Sequence, residues 1–131
     1  MGQLVMVVDD SVTVRKILEV ALRREEIAFV SFPDGREALR ALRGQAHPVP
    51  DVLILDVRLP KMDGYTFARL LRSSPRFDNM TIIMLSGYNG VLDRVKGRLA
   101  GARDYIAKPF RTQEIMAVVR KHLYSAPPAT L

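Results

Sequence analysis

Apolar residues along the chain alternate between two textures. Short continuous runs, "LVMVV" at Leu4–Val8, "DVLIL" from Asp51 and "TIIML" from Thr81, are separated by longer stretches with apolar residues at helical spacing. A short run bounded by polar residues predicts a strand covered on both faces. The stretch "SVTVRKILEVALRREE" carries Val14, Ile17, Leu18, Ala21 and Leu22 on one helical face, with Ser11 or Asp10 placed to cap it. "AFVSF" is a weaker second strand. "GREALRALRG" predicts a short helix with Ala38, Leu39 and Leu42 inward and Gly44 as its stop. The prolines of "QAHPVP" make that segment a loop.

After the third strand, "DVLIL", comes a helix over "YTFARLLRSS". After the fourth strand comes "GVLDRVKGRLAG", a helix weakened by Gly97. "DYIA" reads as a short fifth strand and "TQEIMAVVRKHL" as the fifth helix, with Thr112 as its cap. "YSAPPATL" is a proline-containing tail expected to fray. Strands alternating with helices predict an α/β fold: a doubly wound, five-stranded parallel sheet with helices on both faces. In such sheets functional groups gather at the carboxyl ends of the strands.

Composition narrows the class. A chain of 131 residues suits one domain, and the absence of Cys removes disulfides and thiolate metal sites. No apolar run approaches a membrane span, the start lacks a signal peptide's charged and apolar regions, and Met6 breaks the myristoylation pattern. A soluble cytoplasmic protein is the expectation. A formal charge of +6 invites a nucleic-acid reading, but the basic residues are spread over many segments. An arginine-rich surface or an acidic protein partner fits that distribution better than DNA.

The strand tips carry the candidate chemistry. The first strand ends in Asp9-Asp10, the third in Asp56, the fourth in Ser86-Gly87, and the fifth runs into Lys108-Pro109-Phe110. This layout puts carboxylates, a hydroxyl and an ammonium on one sheet edge. Crowded carboxylates need compensation, and an oxygen-only donor set favours Mg²⁺. The hydroxyl and the ammonium are donors suited to phosphate. Together the set describes phosphoryl transfer to a carboxylate.

At this point the chain resembles a response-regulator receiver domain of the chemotaxis-regulator type. "VDDS", "LILDVRLPKMDG", "IIMLSG" and "GARDYIAKPF" match that family's motifs in order and spacing, from Leu4 to about Leu123. The resemblance implies a flavodoxin-like strand order 2-1-3-4-5, a receiver domain over residues 1–124, and a flexible tail over 125–131. It makes Asp56 the phosphoacceptor and Asp10 a direct Mg²⁺ ligand. Asp9 would act through water, and the backbone carbonyl of Arg58 would be a further ligand. Ser86 would bond the phosphoryl group and Lys108 would pair with it. A cis Lys108–Pro109 bond would aim Lys108 inward, and Gly64 would supply backbone freedom after the third strand. Tyr105 would be an aromatic switch that follows Ser86, remodelling the face of the fourth helix, fifth strand and fifth helix. Arg58 and Tyr88 occupy variable positions beside the site, and Arg103 adds positive charge near the output face. Arg94, Lys96, Arg98, Arg111, Arg120 and Lys121 fall in the same last third of the chain.

The resemblance implies a sensor histidine kinase or histidine phosphotransfer protein upstream; the downstream protein partner is unknown, and the basic residues of the last third of the chain point to an acidic one. Neither direct nucleic-acid contact nor a membrane is expected, and the protein would be a monomer or a phosphorylation-dependent dimer. Its chemistry would be self-catalysed phosphorylation and dephosphorylation rather than enzymatic turnover. A stand-alone receiver is expected, with a domain from a longer regulator, joined at "SAPPATL", as the alternative. A Mg²⁺-dependent phosphoaspartate hydrolase is disfavoured because Arg58 stands where its second acid belongs. A flavodoxin-like FMN binder would meet repulsion from Asp9-Asp10, and a degenerate receiver would lack a site residue. Each residue also has a plainer reading. Asp9-Asp10 could cap a helix, Tyr105 could be core, and Met62, Met80, Met84 and Met116 fit packing. His47 and His122 read as structural.

Overall fold

A computed structural model describes residues 3–44, 48–88 and 90–124. The chain alternates β1 (Leu4–Val8), α1 (Val12–Arg24), β2 (Ala28–Phe32), α2 (Gly35–Arg43), β3 (Val52–Asp56), α3 (Gly64–Arg72), β4 (Thr81–Ser86), α4 (Val91–Leu99), β5 (Ala102–Ala107) and α5 (Thr112–Tyr124). The strands form one five-stranded sheet in the order β2-β1-β3-β4-β5, every neighbouring pair parallel. The chain leaves β1 in one direction for β2 and returns across it to β3, so the order reverses between β1 and β3. That reversal is the topological switch point of the fold.

The continuous apolar runs have a simple cause. Side chains alternate across a strand, and both faces are covered. Val5, Val7, Ile54, Ile83 and Leu85 pack with Leu18 and Leu22 of α1 and Ile115, Val119 and Leu123 of α5. Met6, Val8, Leu53, Leu55, Ile82 and Met84 pack on the other face with Ala38 and Leu42 of α2 and Phe67 and Leu71 of α3. The methionines do act as packing: Met80, Met84 and Met116 are buried, and Met62 is partly buried against the core.

Helix starts follow capping chemistry. Ser11, Asp34 and Asp63 each accept a backbone N–H three residues on, from Val14, Glu37 and Thr66. Of the two caps expected for α1, Ser11 is used and Asp10 stays exposed. Thr112 is the first helical residue rather than a cap, because the carbonyl of Arg111 already accepts from Ile115 N. Gly44 ends α2 in an extended conformation (φ −75°), not a left-handed one.

Two further departures matter. A 3-10 turn at Pro75–Phe77 follows α3. The Arg72 guanidinium gathers it up, donating to the carbonyls of Phe77, Met80 and Gly101 at 2.7, 2.7 and 2.9 Å. Gly97, expected to weaken α4, is that helix's buried residue. The tail 125–131 and His47 lie outside the described residues. Among the described residues, no helix is long and apolar enough to cross a membrane.

Candidate functional site

Parallel strands deliver their tips to one edge. Asp9 follows β1, Asp56 and Ser86 close β3 and β4, and Lys108 follows β5. All of the sequence-derived acids converge: carboxylate oxygens of Asp9, Asp10 and Asp56 lie within 4.8 Å of one another. Asp9 is 0% exposed and Asp56 4% exposed, whereas Asp10 is open to solvent.

Lys108 bridges the buried pair. Its Nζ lies 3.1 Å from Asp9 Oδ2 and 3.3 Å from Asp56 Oδ1. The sequence assigned Lys108 to a phosphoryl partner; here it binds Asp9 as closely as Asp56. Other polar partners complete the seats. Ser11 N donates to Asp9 Oδ1 at 2.8 Å, and Arg58 N donates to Asp56 Oδ1 at 3.2 Å. Arg15 donates to the carbonyl of Asp9 at 2.6 Å, a contact that sequence reasoning missed. The second oxygen of Asp56 and the whole Asp10 carboxylate have no hydrogen-bond partner among the described residues. Three carboxylates against one ammonium leave an excess of negative charge, and an oxygen from each lies within 4.8 Å of the others, a donor set that fits a hard, oxygen-binding cation.

The Lys108–Pro109 bond is cis, as the resemblance implied. Gly64 differs from expectation. It takes no positive φ, and Lys61 is the residue of this loop that does, at 71°. Gly64 is required for space: a Cβ there would lie 2.5 Å from the Asp56 carbonyl oxygen and 2.8 Å from Val57 Cα.

Around the acids stand Ser86, Arg58, Tyr88 and Tyr105, which the sequence singled out, and Tyr65, which it did not. Ser86 is fully buried, and its Oγ accepts from Tyr88 N at 2.9 Å. Arg58 donates to the Tyr88 hydroxyl at 2.7 Å and lies 5.2 Å from its ring centroid. Tyr105 donates its hydroxyl proton to the Tyr88 carbonyl at 2.6 Å. Tyr65, overlooked in the sequence, puts its hydroxyl 3.1 Å from that of Tyr105. Burial, and next the pairing with Tyr105, raises the Tyr65 phenol above its ordinary range, so it stays a donor. A tyrosine one residue into an inward-facing helix was the available signal, since a buried phenol needs a partner. His122 is not unpartnered: its Nε2 lies 2.6 Å from Asp104 Oδ2.

Electrostatics of the acids follow from burial. The Asp56 carboxyl is pushed up to about 6, first by burial and then by the Asp9 charge, with Lys108 and the Arg58 N–H offsetting part. Lys108 is also burdened by burial, but Asp9 and Asp56 outweigh it and hold its ammonium above the ordinary range. The sign for stability is definite. Between pH 3.8 and about 6 the folded chain keeps a proton on Asp56 that the unfolded chain has released. Stability of the metal-free protein therefore falls as pH rises through that window, by at most roughly 3 kcal/mol at 1.36 kcal/mol per unit. Asp56→Asn does not titrate there. The difference between wild-type and variant urea midpoints should widen in the variant's favour from pH 4 to 6.5; a constant difference would exclude the effect.

Comparison with known proteins agrees with this geometry. A family model described as the response regulator receiver domain matches residues 5–120. Protein PilG of Pseudomonas aeruginosa is 33% identical over 127 residues, covering 97% of this chain and 92% of PilG. The DNA-binding response regulator MtrA of Mycolicibacterium paratuberculosis is 37% identical over 123 residues, 94% of this chain. The chain spans about half of that regulator, 52% of its length. One similar solved structure is the receiver domain of the sensor histidine kinase PA1611 from Pseudomonas aeruginosa, with a magnesium ion coordinated in its active site cleft. It matches with a TM-score of 0.83 at 30% identity, over 95% of this chain and 100% of the other.

Proposed function

Because the chain belongs to the response regulator receiver family, we propose that it is a phosphoacceptor module that takes a phosphoryl group onto Asp56. The observation that carries this reading is the meeting of a buried, hydrogen-bonded carboxylate with Lys108, Ser86 and two further acids at one sheet edge. The open oxygen of Asp56 attacks phosphorus, forming a P–O bond. The donor's P–N bond (a phosphohistidine) or P–O bond (acetyl phosphate) breaks, and its electron pair leaves with imidazole or acetate. Lys108 pairs with a phosphoryl oxygen. The Ser86 hydroxyl, whose oxygen accepts from Tyr88 N, has its own proton left to donate. Asp9, Asp10, Asp56 and the Arg58 carbonyl would hold Mg²⁺, which when bound supplies positive charge against the carboxylates and phosphoryl oxygens. Hydrolysis of the acyl phosphate by water resets the module, so no separate substrate is turned over.

The donor in this reading is a sensor histidine kinase or a histidine phosphotransfer protein, and the site of action is the cytoplasm. The face formed by α4, β5 and α5 carries the output to a protein partner. Arg94, Lys96, Arg98, Arg103, Arg111, Arg120 and Lys121 are all exposed, which favours an acidic partner. Arg120, however, is turned to Glu25 of α1 at 2.7 Å and belongs to a different side. The PilG match favours a stand-alone receiver, and the MtrA match keeps open a receiver within a longer regulator. The hydrolase reading gains no support, since the Arg58 side chain is engaged with Tyr88.

The test is incubation with acetyl phosphate and Mg²⁺. Intact mass should rise by one phosphoryl group, the bond should be labile to base, and Asp56→Asn should show no label. Asp10→Asn should label slowly and need more Mg²⁺. Labelling of Asp56→Asn at the wild-type rate would overturn the assignment.

A further inference from the structure

Tyr105 sits in a socket built by other elements. Its ring lies against Gly97 of α4, where a Cβ would stand 2.8 Å from Tyr105 Cδ2, 3.1 Å from Cε2 and 3.2 Å from Met84 Sδ. Only a hydrogen at that position lets the ring pass beneath the helix. Arg94, one helical turn earlier, lies with its guanidinium 5.5 Å from the ring centroid and donates to the Tyr105 carbonyl at 3.2 Å.

The hydroxyl end is held from two different bodies. One is the loop after β4, through the Tyr88 carbonyl at 2.6 Å. The peptide N–H of the same Tyr88 is bonded to Ser86 Oγ. The other body is α3, through the Tyr65 hydroxyl at 3.1 Å, which also lies 3.3 Å from the carbonyl of Asp93. Tyr105 has one hydroxyl proton, and Tyr88 receives it. Tyr65 is then the donor available to the Tyr105 oxygen at 3.1 Å, its single proton shared with the longer contact to the Asp93 carbonyl at 3.3 Å. It is also fixed to the phosphoacceptor strand, because its neighbour Gly64 donates N–H to the Val57 carbonyl at 2.7 Å.

We propose that Tyr65 and Gly97 are positioning residues that hold the Tyr105 ring inward before any phosphorylation occurs. This rests on the reading of Asp56 as the phosphoacceptor, and it makes Tyr105 a fixed post where a moving aromatic switch was expected. In this protein the ring does not have to be drawn in. A phosphoryl group that draws the Ser86 side chain toward Asp56 moves its Oγ away from Tyr88 N and loosens that peptide, while Tyr65 keeps Tyr105 registered to β3 and α3. What phosphorylation then changes is the loop and the start of α4 around a fixed ring.

The experiment uses the full chain with ring-¹³C tyrosine and NMR. The Tyr105 signal is assigned by its loss in Tyr105→Phe. In unphosphorylated wild type, Overhauser contacts from the Tyr105 ring to Gly97 Hα and the Met84 methyl are expected. Tyr65→Phe, which removes only a hydroxyl, should weaken both contacts and move the ring shift toward that of exposed Tyr124. Gly97→Ala, which puts a methyl at the buried position of α4 in the space the ring occupies, should abolish the Met84 contact and give the exposed shift. Acetyl phosphate labelling of the same samples keeps the two readings apart: both variants should still label at Asp56. Failure of wild type to label would strike the phosphoacceptor reading and leave the ring contacts as measured. Unchanged ring contacts in Tyr65→Phe, or an inward ring in Gly97→Ala, would overturn the proposal. So would a wild-type ring that makes these contacts only after phosphorylation.

Discussion

Gly64→Ala is expected to lose roughly 3–4 kcal/mol of stability and to abolish labelling at Asp56. The added Cβ would lie 2.5 Å from the Asp56 carbonyl oxygen, 2.8 Å from Val57 Cα and 3.2 Å from the Asp56 carbonyl carbon. All of these are backbone atoms at the strand end that carries Asp56, so no side chain can swing aside. Overpacking a tight site costs about 1–3 kcal/mol, sometimes more. The Gly64 N–H to Val57 carbonyl bond at 2.7 Å would be stretched as well, at about 1 kcal/mol. Relief requires α3 to move away from β3, which displaces the Arg58 N–H from Asp56. Gly87→Ala is the matched control, because a Cβ there meets nothing within 4 Å. Urea midpoints and acetyl phosphate labelling of both variants decide the matter. A Gly64→Ala protein as stable and as active as Gly87→Ala would show that the close approach relaxes without cost.

Lys108→Met is the second large effect. It leaves Asp9 and Asp56 buried with the ammonium removed and no other cation within ion-pair distance among the described residues. Breaking a buried pair from one side costs about 3–5 kcal/mol. The Lys108 side chain is 24% exposed, so solvent recovers part of this and roughly 2–3 kcal/mol is expected in metal-free protein at neutral pH. Asp56, already raised to about 6 with Lys108 present, rises further when that attraction is gone. The loss should therefore shrink as pH falls and Asp56 takes up its proton. Mg²⁺ should stabilise Lys108→Met more than wild type, because a cation then replaces the missing charge. Combined with Asp56→Asn, the two changes should fall short of additivity. Labelling should persist at a reduced rate, while partner engagement is lost. A metal-free midpoint equal to wild type from pH 5 to 8 would mean that the bridge contributes nothing.

Much of this was legible from residue order, for identifiable reasons. Strands buried on both faces announce themselves as unbroken apolar runs, and their polar terminators, Asp9, Asp56 and Ser86, mark the tips. Parallel topology then does the assembling. The boundary errors have local causes. Asp51 stands before β3 rather than in it, its carboxylate accepting from Leu4 N at 2.8 Å. β5 starts at Ala102, earlier than expected, with exposed Arg103 on an edge strand and a register irregularity opposite Ile82 and Ile83. What stayed hidden depends on loops meeting across the fold. Arg58 and Tyr88 are 30 residues apart, and Tyr65 and Tyr105 are 40 apart. Neither spacing has a periodic signature. The role of Gly64 was read as conformational when it is steric, a distinction that needs the atoms of Val57 in place.

The bridge between Asp9 and Lys108 joins residues 99 positions apart, the one just after the first strand and the other just after the last. Closing so long a loop has to precede any reward from the contact, which is the mark of a high contact order. A nascent chain that has emerged only through β4 already presents Asp9, Asp10 and Asp56 without their cation. The cation that offsets the three acids thus arrives only with the final edge strand, after the acids themselves are in place.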